Sequence, residues 1–308
     1  MTAHLPARGA QLASEGYFNI TGGKTLKING ETGLIGILGD PVAHSLSPAM
    51  HNAAYQAMGL NIAYVPLPAA PAQLQAAVAG LRAMRFLGAN VTIPHKVAVA
   101  ALLDRLDISA ARVGAVNTIA SRDGVLTGHN TDGTGFIRAL NATATVDLSS
   151  SAAVIFGAGG AARSVAMALA EAGVPRLAVV NRSLDKAEEL KGLLSVGFPD
   201  VSVSVATPEE GGARLVSTSQ IVINATSVGM DGDLKSVPPG VDRLSEGHVV
   251  CDLVYTRSKA TPLAVAAQKK GATFMGGLEM LLMQGAASIQ IWTGREPPID
   301  VMRKALEP

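Results

Sequence analysis

A glycine-rich turn between an apolar run and a helical segment is the feature that most restricts how this chain can fold. The apolar run spans residues 152–156, and residues 157–162 read Gly-Ala-Gly-Gly-Ala-Ala. Glycines at this spacing permit a tight connection from strand to helix, and they let backbone amides approach a pyrophosphate at the positive end of the helix. The pattern predicts part of a doubly wound sheet with a dinucleotide bound at the turn.

Short apolar runs alternate with longer helical stretches along the rest of the chain, which is typical of α/β proteins. Ahead of the turn, the pattern predicts strands at 34–38, 63–67 and 89–92, helices at 48–58 and 71–84, and a hairpin of 116–120 with 125–128. After the turn, it predicts strands at 177–180, 201–205, 221–224 and 249–252.

The ends of two helices carry further signals. Ser47 is expected to cap the first helix, and Gly59 is expected to end it. The last helix, residues 278–292, is apolar on most of its circumference. We therefore expect it to be buried against the first half of the chain.

Composition and charge limit the partners of the chain. Its 308 residues exceed what one hydrophobic core holds, roughly 250 to 300 residues, so we expect two domains. A net charge of +1, from 25 basic and 24 acidic residues, provides no field for nucleic acid or membranes. One cysteine, Cys251, excludes an intrachain disulfide, and no metal-site spacing occurs. We expect a cytoplasmic monomer or homodimer, with residues 1–30 as a loose extension.

The residues after the strand at 177–180 distinguish between the two nicotinamide dinucleotides. NAD-binding proteins usually place an acidic residue there, where it accepts hydrogen bonds from the ribose hydroxyls. This chain has Asn181-Arg182-Ser183 instead, with Lys186 one helical turn later. Arg182 and Lys186 can hold a 2′-phosphate through charge-assisted hydrogen bonds, so the sequence favours NADP. The alternative is a solvated surface on which Asp185 pairs with these cations.

Polar segments at predicted strand ends are candidates for the reacting centre. Residues 90–96 end in Lys96, and residues 130–133 contain Asp132. Reduction of a ketone needs a cationic or hydrogen-bonding group at the carbonyl oxygen and then a proton, and a lysine paired with a carboxylate provides both. The alternative for Lys96 is an ordinary surface lysine.

A third polar segment, residues 44–48, offers the hydroxyls of Ser45 and Ser47 ahead of a helix. Hydroxyls and helix amides can bind a small carboxylate. A plain capping turn is the alternative for this segment.

Together these segments resemble the shikimate dehydrogenase family over residues 33–308. Eight runs match the motifs of that family in the same order. They are Ser45-Leu46-Ser47-Pro48, Asn90 to Lys96, Gly114 to Thr118, Asn130 to Gly133, Gly157 to Ala162, Asn181 to Ser183, Asn224 to Ser227, and Gly277-Leu278 running on to Gln284. The resemblance implies two α/β domains: a substrate-binding domain of residues 1–131 plus 277–308, and a Rossmann-like NADP-binding domain of residues 132–276.

The resemblance also implies an activity and roles for individual residues. The implied reaction is reversible NADPH-dependent reduction of 3-dehydroshikimate to shikimate, on the route to chorismate and the aromatic amino acids. The implied catalytic pair is Lys96 and Asp132. The implied substrate-binding residues are Ser45, Ser47, Thr92, Asn117, Asp132, Tyr255 and Gln284. The implied cofactor-binding residues are Gly157, Ala158, Gly159, Gly160, Ala161, Asn181, Arg182, Ser183, Lys186, Thr226, Leu253 and Gly277.

Three other functions remain open at this point. A broad-specificity quinate/shikimate dehydrogenase would turn over quinate with NAD, although the resemblance makes Ser47 favour shikimate. An enzyme similar to methylenetetrahydrofolate dehydrogenase also combines a lysine with an NADP domain, but the Ser-Leu-Ser-Pro and Asn-Thr-Asp-Gly runs disfavour it. A sensor could bind shikimate or NADP without turnover. Lys186 replaces an arginine that many family members carry, which leaves the strength of the NADP preference open.

Overall fold

The computed structural model describes residues 28–230, 235–256 and 260–307. This part of the chain contains two six-stranded sheets and the helices that cover them, which confirms the predicted α/β class. Of the predicted N-terminal extension, residues 1–27 lie outside the described residues.

The first sheet comprises β1 (Gly33–Gly39), β2 (Ile62–Pro68), β3 (Gly88–Val91), β4 (Arg105–Leu106), β5 (Thr118–Arg122) and β6 (Val125–His129). The second comprises β7 (Ala152–Phe156), β8 (Arg176–Val180), β9 (Ser202–Ala206), β10 (Ile221–Asn224), β11 (Val249–Asp252) and β12 (Thr273–Met275).

The α-helices lie between these strands and after the last one. They are α1 (Ser47–Ala57), α2 (Leu74–Ala83), α3 (Ile108–Val113), α4 (Asp132–Thr143), α5 (Gly160–Glu171), α6 (Leu184–Gly197), α7 (Pro208–Ser217), α8 (Pro262–Lys269), α9 (Gly277–Thr293) and α10 (Ile299–Lys304).

The first sheet has the strand order β2-β1-β3-β5-β6-β4. β1 pairs in parallel with β2 and β3, whereas β5 and β6 form the predicted antiparallel hairpin. Asp123 and Gly124 at its turn have φ values of 51° and 77°, which a tight two-residue turn requires. Because β2 and β3 lie on opposite sides of β1, the loops that follow β1 and β3 flank a topological switch point, where α/β folds bind ligands.

All described strand pairs of the second sheet are parallel, and the order is β12-β11-β10-β7-β8-β9. The chain reverses direction between β7 and β10, which is the doubly wound arrangement that the glycine-rich turn predicts. This turn follows β7, and residues 225–230 follow β10. Both loops therefore lie at the switch point of the second sheet.

Helix α9 connects the cores of the two sheets. Its Leu282 and Ile289 pack with Ile35 of β1 and Tyr64 of β2. Met280, near the start of the same helix, belongs to the core of the second sheet. The prediction that the last helix is buried against the first half of the chain is confirmed.

Several details differ from the predictions. Ser47 is wrong as a cap: Leu46 occupies the N-cap of α1 with a helical backbone, and Ser47 is the first helical residue with a buried side chain. Gly59 ends the helix with a φ of 66°, as predicted. The segment at 71–84 begins with a 3-10 turn, Pro71–Gln73, before α2. The pattern does not predict β4, α3 or β12, because elements of two, six and three residues are too short to show a period.

No helix within residues 28–230, 235–256 and 260–307 is long and apolar enough to cross a bilayer. Over the same residues, no three His, Cys, Asp or Glu side chains gather as the ligands of a metal ion would.

Candidate active site

Lys96 and Asp132 meet at the carboxyl edge of the first sheet. Lys96 lies in the loop after β3, and Asp132 is the first residue of α4. Lys96 Nζ donates a hydrogen bond to Asp132 Oδ2 at 2.5 Å, and the two side chains are 17% and 4% exposed. The pairing of these two candidates is therefore a feature of the fold.

Asn117 holds the second oxygen of the Asp132 carboxylate. Its Nδ2 donates to Asp132 Oδ1 at 2.8 Å and lies 3.3 Å from Gln284 Oε1. Its own Oδ1 accepts from the backbone N–H of Thr131 at 2.8 Å. A buried charge is tolerated only when it is paired and hydrogen-bonded, and Asp132 meets both conditions. Three residues named by the resemblance, Asn117, Asp132 and Gln284, thus form one cluster with Lys96.

Behind Asn117 lies a buried hydroxyl cluster that the sequence analysis did not identify. Ser288 Oγ of α9 lies 2.8 Å from Thr118 Oγ1 and 3.2 Å from Thr131 Oγ1, and it accepts from Asn90 Nδ2 at 3.1 Å. Ser288 and Thr118 have no exposed surface. Thr118, Thr131 and Asn90 fall within matched motif runs, which was an available signal, whereas only the fold brings Ser288 beside them. This cluster fixes the orientation of the Asn117 amide.

Ser45 and Ser47 lie where the loop after β1 enters α1. The backbone N–H of Ser47 donates to Ser45 Oγ at 3.2 Å, and Ser47 is buried while Ser45 is half-buried. No side chain caps this helix. The arrangement of hydroxyls at a helix N-terminus suits a small carboxylate.

His51 and Tyr64 support this end of α1 from below. Their rings stack with centroids 4.2 Å apart, and His51 Nδ1 donates to the carbonyl oxygen of Ser47 at 2.9 Å. Desolvation by complete burial lowers the pKa of His51 to about 4, so the ring is neutral at physiological pH. The Tyr64 hydroxyl donates to Asn90 Oδ1 at 2.7 Å. Tyr64 of β2 therefore links His51 of α1, on which it stacks, to the hydroxyl cluster.

Two further substrate-site candidates are Thr92 in the first sheet's region and Tyr255 in the second's. Thr92 is half-buried at the end of β3, and its N–H donates to the carbonyl oxygen of Leu38 in β1 at 2.9 Å. Burial raises the pKa of Tyr64 well above its ordinary value, with the nearby hydroxyls of Tyr55 and Tyr255 acting in the same direction. Tyr255 follows β11 of the second sheet.

The glycine-rich turn has the shape that a pyrophosphate requires. Gly157 has a φ of 113°, and a Cβ there would come within 2.9 Å of the carbonyl oxygen of Ala225. Only glycine fits this position. A Cβ at Gly159, the N-cap of α5, would meet no atom within 4 Å, so the backbone faces open space at the start of the helix. Free amides at a helix N-terminus with room in front of them fit a dinucleotide.

The residues proposed to recognise a 2′-phosphate are exposed. Arg182, Ser183 and Lys186 all lie on the surface where β8 leads into α6. Within the described residues, Asp185 forms no ion pair with either cation. Asn181 shapes this loop, because its Nδ2 donates to the carbonyl oxygen of Ser183 at 2.9 Å.

The three candidates for the nicotinamide end follow β10, β11 and β12, at the ends of neighbouring strands of the second sheet. Thr226 lies over the turn, with its Cγ2 3.4 Å from the position of a Cβ on Gly157. A Cβ on Gly277 would lie 2.7 Å from the carbonyl oxygen of Leu253, so the start of α9 touches the loop after β11. Thr226 thus adjoins the glycine-rich turn, and Leu253 and Gly277 adjoin each other.

A buried carboxylate that the sequence analysis did not identify holds these loops. Asp252 Oδ1 accepts from Asn224 Nδ2 at 2.9 Å and from the N–H of Val254 at 3.2 Å, and Oδ2 accepts from Thr261 Oγ1 at 2.6 Å. Burial raises the pKa of Asp252, and these hydrogen bonds oppose that shift. Asp252 thereby ties the ends of β10 and β11 to the start of α8.

Comparison with known proteins matches the chain to three family models. Residues 37–119 match the shikimate dehydrogenase substrate binding domain, residues 139–229 match shikimate / quinate 5-dehydrogenase, and residues 277–307 match the shikimate 5′-dehydrogenase C-terminal domain.

Individual proteins show the same similarity. The chain is 46% identical over 281 residues to shikimate dehydrogenase (NADP(+)) of Moorella thermoacetica, which covers 91% of this chain and 95% of that one. Shikimate 5-dehydrogenase of Listeria monocytogenes, solved with shikimate and NAD, has a TM-score of 0.82 at 37% identity and covers 91% and 98% of the two chains. The Thermus thermophilus enzyme, solved with NADP(H) and shikimate, has a TM-score of 0.78 at 36% identity and covers 89% and 98%. The chain belongs to the shikimate dehydrogenase family.

Proposed function

We propose that this protein is an NADP-dependent oxidoreductase that interconverts 3-dehydroshikimate and shikimate, a step toward chorismate and the aromatic amino acids. The observation that carries the proposal is the 2.5 Å ion pair of Lys96 and Asp132 in a member of this family. The similarity to NADP(+)-dependent shikimate dehydrogenases over nine-tenths of the chain supports it.

Lys96 carries the proton in this mechanism. In the reducing direction, Lys96 Nζ lies at the ketone oxygen and donates a proton to it, directly or through a water molecule, while Asp132 and Asn117 keep the ammonium in place. NADPH, when bound, supplies the hydride that the carbonyl carbon accepts. In the oxidising direction, Lys96 takes the proton of the hydroxyl. A positioned cation stabilises the developing oxyanion because it needs no reorganisation as charge builds up.

The remaining residues bind and orient. Ser45 and Ser47, with the first amides of α1, hold the substrate carboxylate. Thr92, Asn117 and Gln284 bind ring hydroxyls, with Tyr255 close by.

The cofactor is held along the second sheet. The amides of the glycine-rich turn bind the pyrophosphate, since Gly157 permits the close turn and Gly159 leaves room in front of the helix. Arg182 and Lys186 bind the 2′-phosphate, with Asn181 and Ser183 shaping the loop. Thr226, Leu253 and Gly277 line the nicotinamide.

Less specific proposals concern the whole molecule. We retain the division into a substrate domain of residues 1–131 plus 277–308 and a cofactor domain of residues 132–276. We also retain a cytoplasmic monomer or homodimer whose ligands are small molecules, and the single, buried Cys251 is compatible with a reducing compartment.

The test is oxidation of shikimate and of quinate, each with NADP and with NAD, followed by the absorbance of the reduced nicotinamide. Fast turnover of shikimate with NADP is expected. Lys96→Ala should lower kcat by about two to four orders of magnitude with little change in KM, as loss of a positioned acid usually does. Lys304→Ala, at an exposed position on α10, is the matched control. Quinate turnover with NAD would favour the broad-specificity enzyme, and silence with all four combinations would refute the proposal in favour of a sensor.

A further inference from the structure

We propose that helix α5, which begins at the glycine-rich turn, also positions both members of the Lys96–Asp132 pair. Gly160 is the positioning residue for Lys96. This inference rests on the proposed function, because it concerns the same reaction. It gives Gly160 a role beyond cofactor binding: the absence of its side chain sets where the proton donor lies.

The first contact joins Gly160 to the aliphatic stem of Lys96. A Cβ on Gly160 would lie 3.0 Å from Lys96 Cβ, 3.3 Å from Cδ and 3.7 Å from Cγ. Three successive distances of this size show that the stem lies along the glycine. The Lys96 backbone is held from the other side, since its carbonyl oxygen accepts from the N–H of Val116 at 2.7 Å. An added methyl group at position 160 would therefore displace the side chain of Lys96.

The second contact joins α5 to the helix that carries Asp132. Gly133 follows Asp132 in α4, and a Cβ on it would lie 2.9 Å from the carbonyl oxygen of Ser164 and 3.0 Å from Cβ of Ala168. Ser164 Oγ in turn donates to the carbonyl oxygen of Gly160 at 2.8 Å. On α5, the residue that contacts Lys96 is Gly160, and a residue that contacts the helix carrying Asp132 is Ser164. These two residues are one helical turn apart.

Neighbouring glycines of the turn have separate tasks by this reading. Gly159 faces open space, which suits the approach of a pyrophosphate, whereas Gly160 faces Lys96. Because α5 sets both ends of the ion pair, the cofactor-binding helix determines the separation of 2.5 Å between Lys96 Nζ and Asp132 Oδ2.

The first experiment compares Gly160→Ala with the wild-type enzyme. A catalytic group displaced by up to 1 Å can cost as much as 10²-fold in rate, so we expect kcat to fall by about 10- to 100-fold. The NADPH dissociation constant, measured by fluorescence titration, should stay within about threefold. Gly192→Ala in α6, where a Cβ would meet no atom within 4 Å, controls for the glycine-to-alanine change in the same sheet-and-helix unit. Unchanged kcat, or a loss explained by NADPH affinity alone, would overturn the inference.

A double-mutant cycle with Lys96→Ala separates positioning from general damage. If Gly160→Ala acts through the lysine stem, it should cost less than about threefold in the Lys96→Ala background, because effects of residues that act together are not additive. The same 10- to 100-fold loss in both backgrounds would contradict the mechanism. Gly133→Ala provides a second variant, which should lower kcat and leave NADPH affinity unchanged. Any other result would count against the inference that α5 positions both Lys96 and Asp132.

A crystal structure of Gly160→Ala tests the inference without turnover. The separation of Lys96 Nζ and Asp132 Oδ2 should lengthen beyond hydrogen-bond distance, roughly 3.2 Å. An intact ion pair in that variant would refute the inference even if the proposed reaction held. Conversely, an inactive wild-type enzyme would refute the proposed function while this distance still decided the role of Gly160.

Discussion

Asp132 and Arg182 are charged residues in two regions of the molecule that hold their charges by different means. The Asp132 carboxylate is buried, and Lys96 and Asn117 each donate to one of its oxygens. The Arg182 guanidinium is exposed and forms no ion pair with any described carboxylate. Protein hydrogen bonds thus fix the direction of the Asp132 carboxylate, whereas no ion pair with the protein fixes the direction of the Arg182 guanidinium.

The difference follows from the cost of desolvation. A buried carboxylate without partners would be strongly destabilising, so the fold must supply hydrogen bonds to it, and these bonds also fix its direction. An exposed guanidinium keeps its water and needs no partner until a phosphate replaces that water. Substitutions in the first region should therefore affect folding and turnover together, and those in the second should affect only cofactor affinity.

Asn117→Ala should have the largest effect of the changes that test this contrast. It removes the donor to Asp132 Oδ1 and leaves a buried charge partly unsatisfied. We expect kcat/KM to fall by about 10²- to 10³-fold, roughly 3 to 4 kcal/mol, as for loss of one preorganised donor, and the free energy of unfolding to fall by about 1 to 3 kcal/mol. Steady-state kinetics and urea unfolding measure the two. Asn141→Ala, exposed on α4, is the control. Full activity with lower stability would mean that the buried cluster stabilises the fold but does not contribute to turnover.

The acid stability of the substrate region should depend on His51. Its folded-state pKa of about 4 lies below the ordinary value of 6.5, so between these pH values the unfolded chain binds a proton that the folded protein does not. Stability should therefore be fully present above pH 6.5 and should decline as the pH falls toward 4, by about 1.4 kcal/mol per unit and about 3 kcal/mol in total from this group.

The measurement is urea unfolding at pH 7 and at pH 5 for the wild type and for His51→Gln. The variant should lose stability at pH 7 and show a shallower decline with acid, since position 51 then no longer titrates. His44→Gln replaces an exposed histidine and should keep the wild-type slope. Equal slopes for His51→Gln and the wild type would exclude His51 as the source.

Arg182→Ala should have the smallest effect, and one confined to the cofactor. Loss of a charge-assisted hydrogen bond to the 2′-phosphate costs about 1.5 to 3 kcal/mol, so NADPH affinity should fall by about 10- to 100-fold. NADH affinity and the free energy of unfolding should stay nearly constant, because the side chain is exposed. Isothermal titration with both dinucleotides measures this. Arg176→Ala, at the opposite end of β8, is the control. Equal losses for NADPH and NADH would contradict a 2′-phosphate site.

The parts of the fold that the sequence predicts are those with a local cause. β7 and the turn after it follow from an apolar run joined to glycines, and Gly157 indeed adopts a φ that favours glycine. The burial of α9 follows from its apolar circumference. The prediction that Ser47 caps α1 was wrong, because Ser47 is buried as the first helical residue. At this position, packing outweighs the local preference for capping.

The candidate site divides in the same way. Lys96 and Asp132 stand out in the sequence because they are charged residues in polar segments at predicted strand ends, whereas Asn117 is indicated only by the family resemblance. Ser288 does not stand out, because it is one serine in an apolar helix whose role depends on Thr118, 170 residues earlier. Asp252 at the end of β11 is likewise an ordinary strand-end residue until Asn224 and Thr261 surround it.

The sequence by itself determined the α/β class, the glycine-rich turn and the absence of an acidic residue at Asn181-Arg182-Ser183, because each depends on residues adjacent in the chain. It also marked Lys96 and Asp132 as candidates by their chemical type. Only the tertiary structure decided the contact of Lys96 with Gly160 and the burial of Asp132 among Asn117 and its hydroxyl neighbours. Those contacts join segments far apart in sequence. Their distances are set by close packing of whole helices and sheets, which no local pattern encodes.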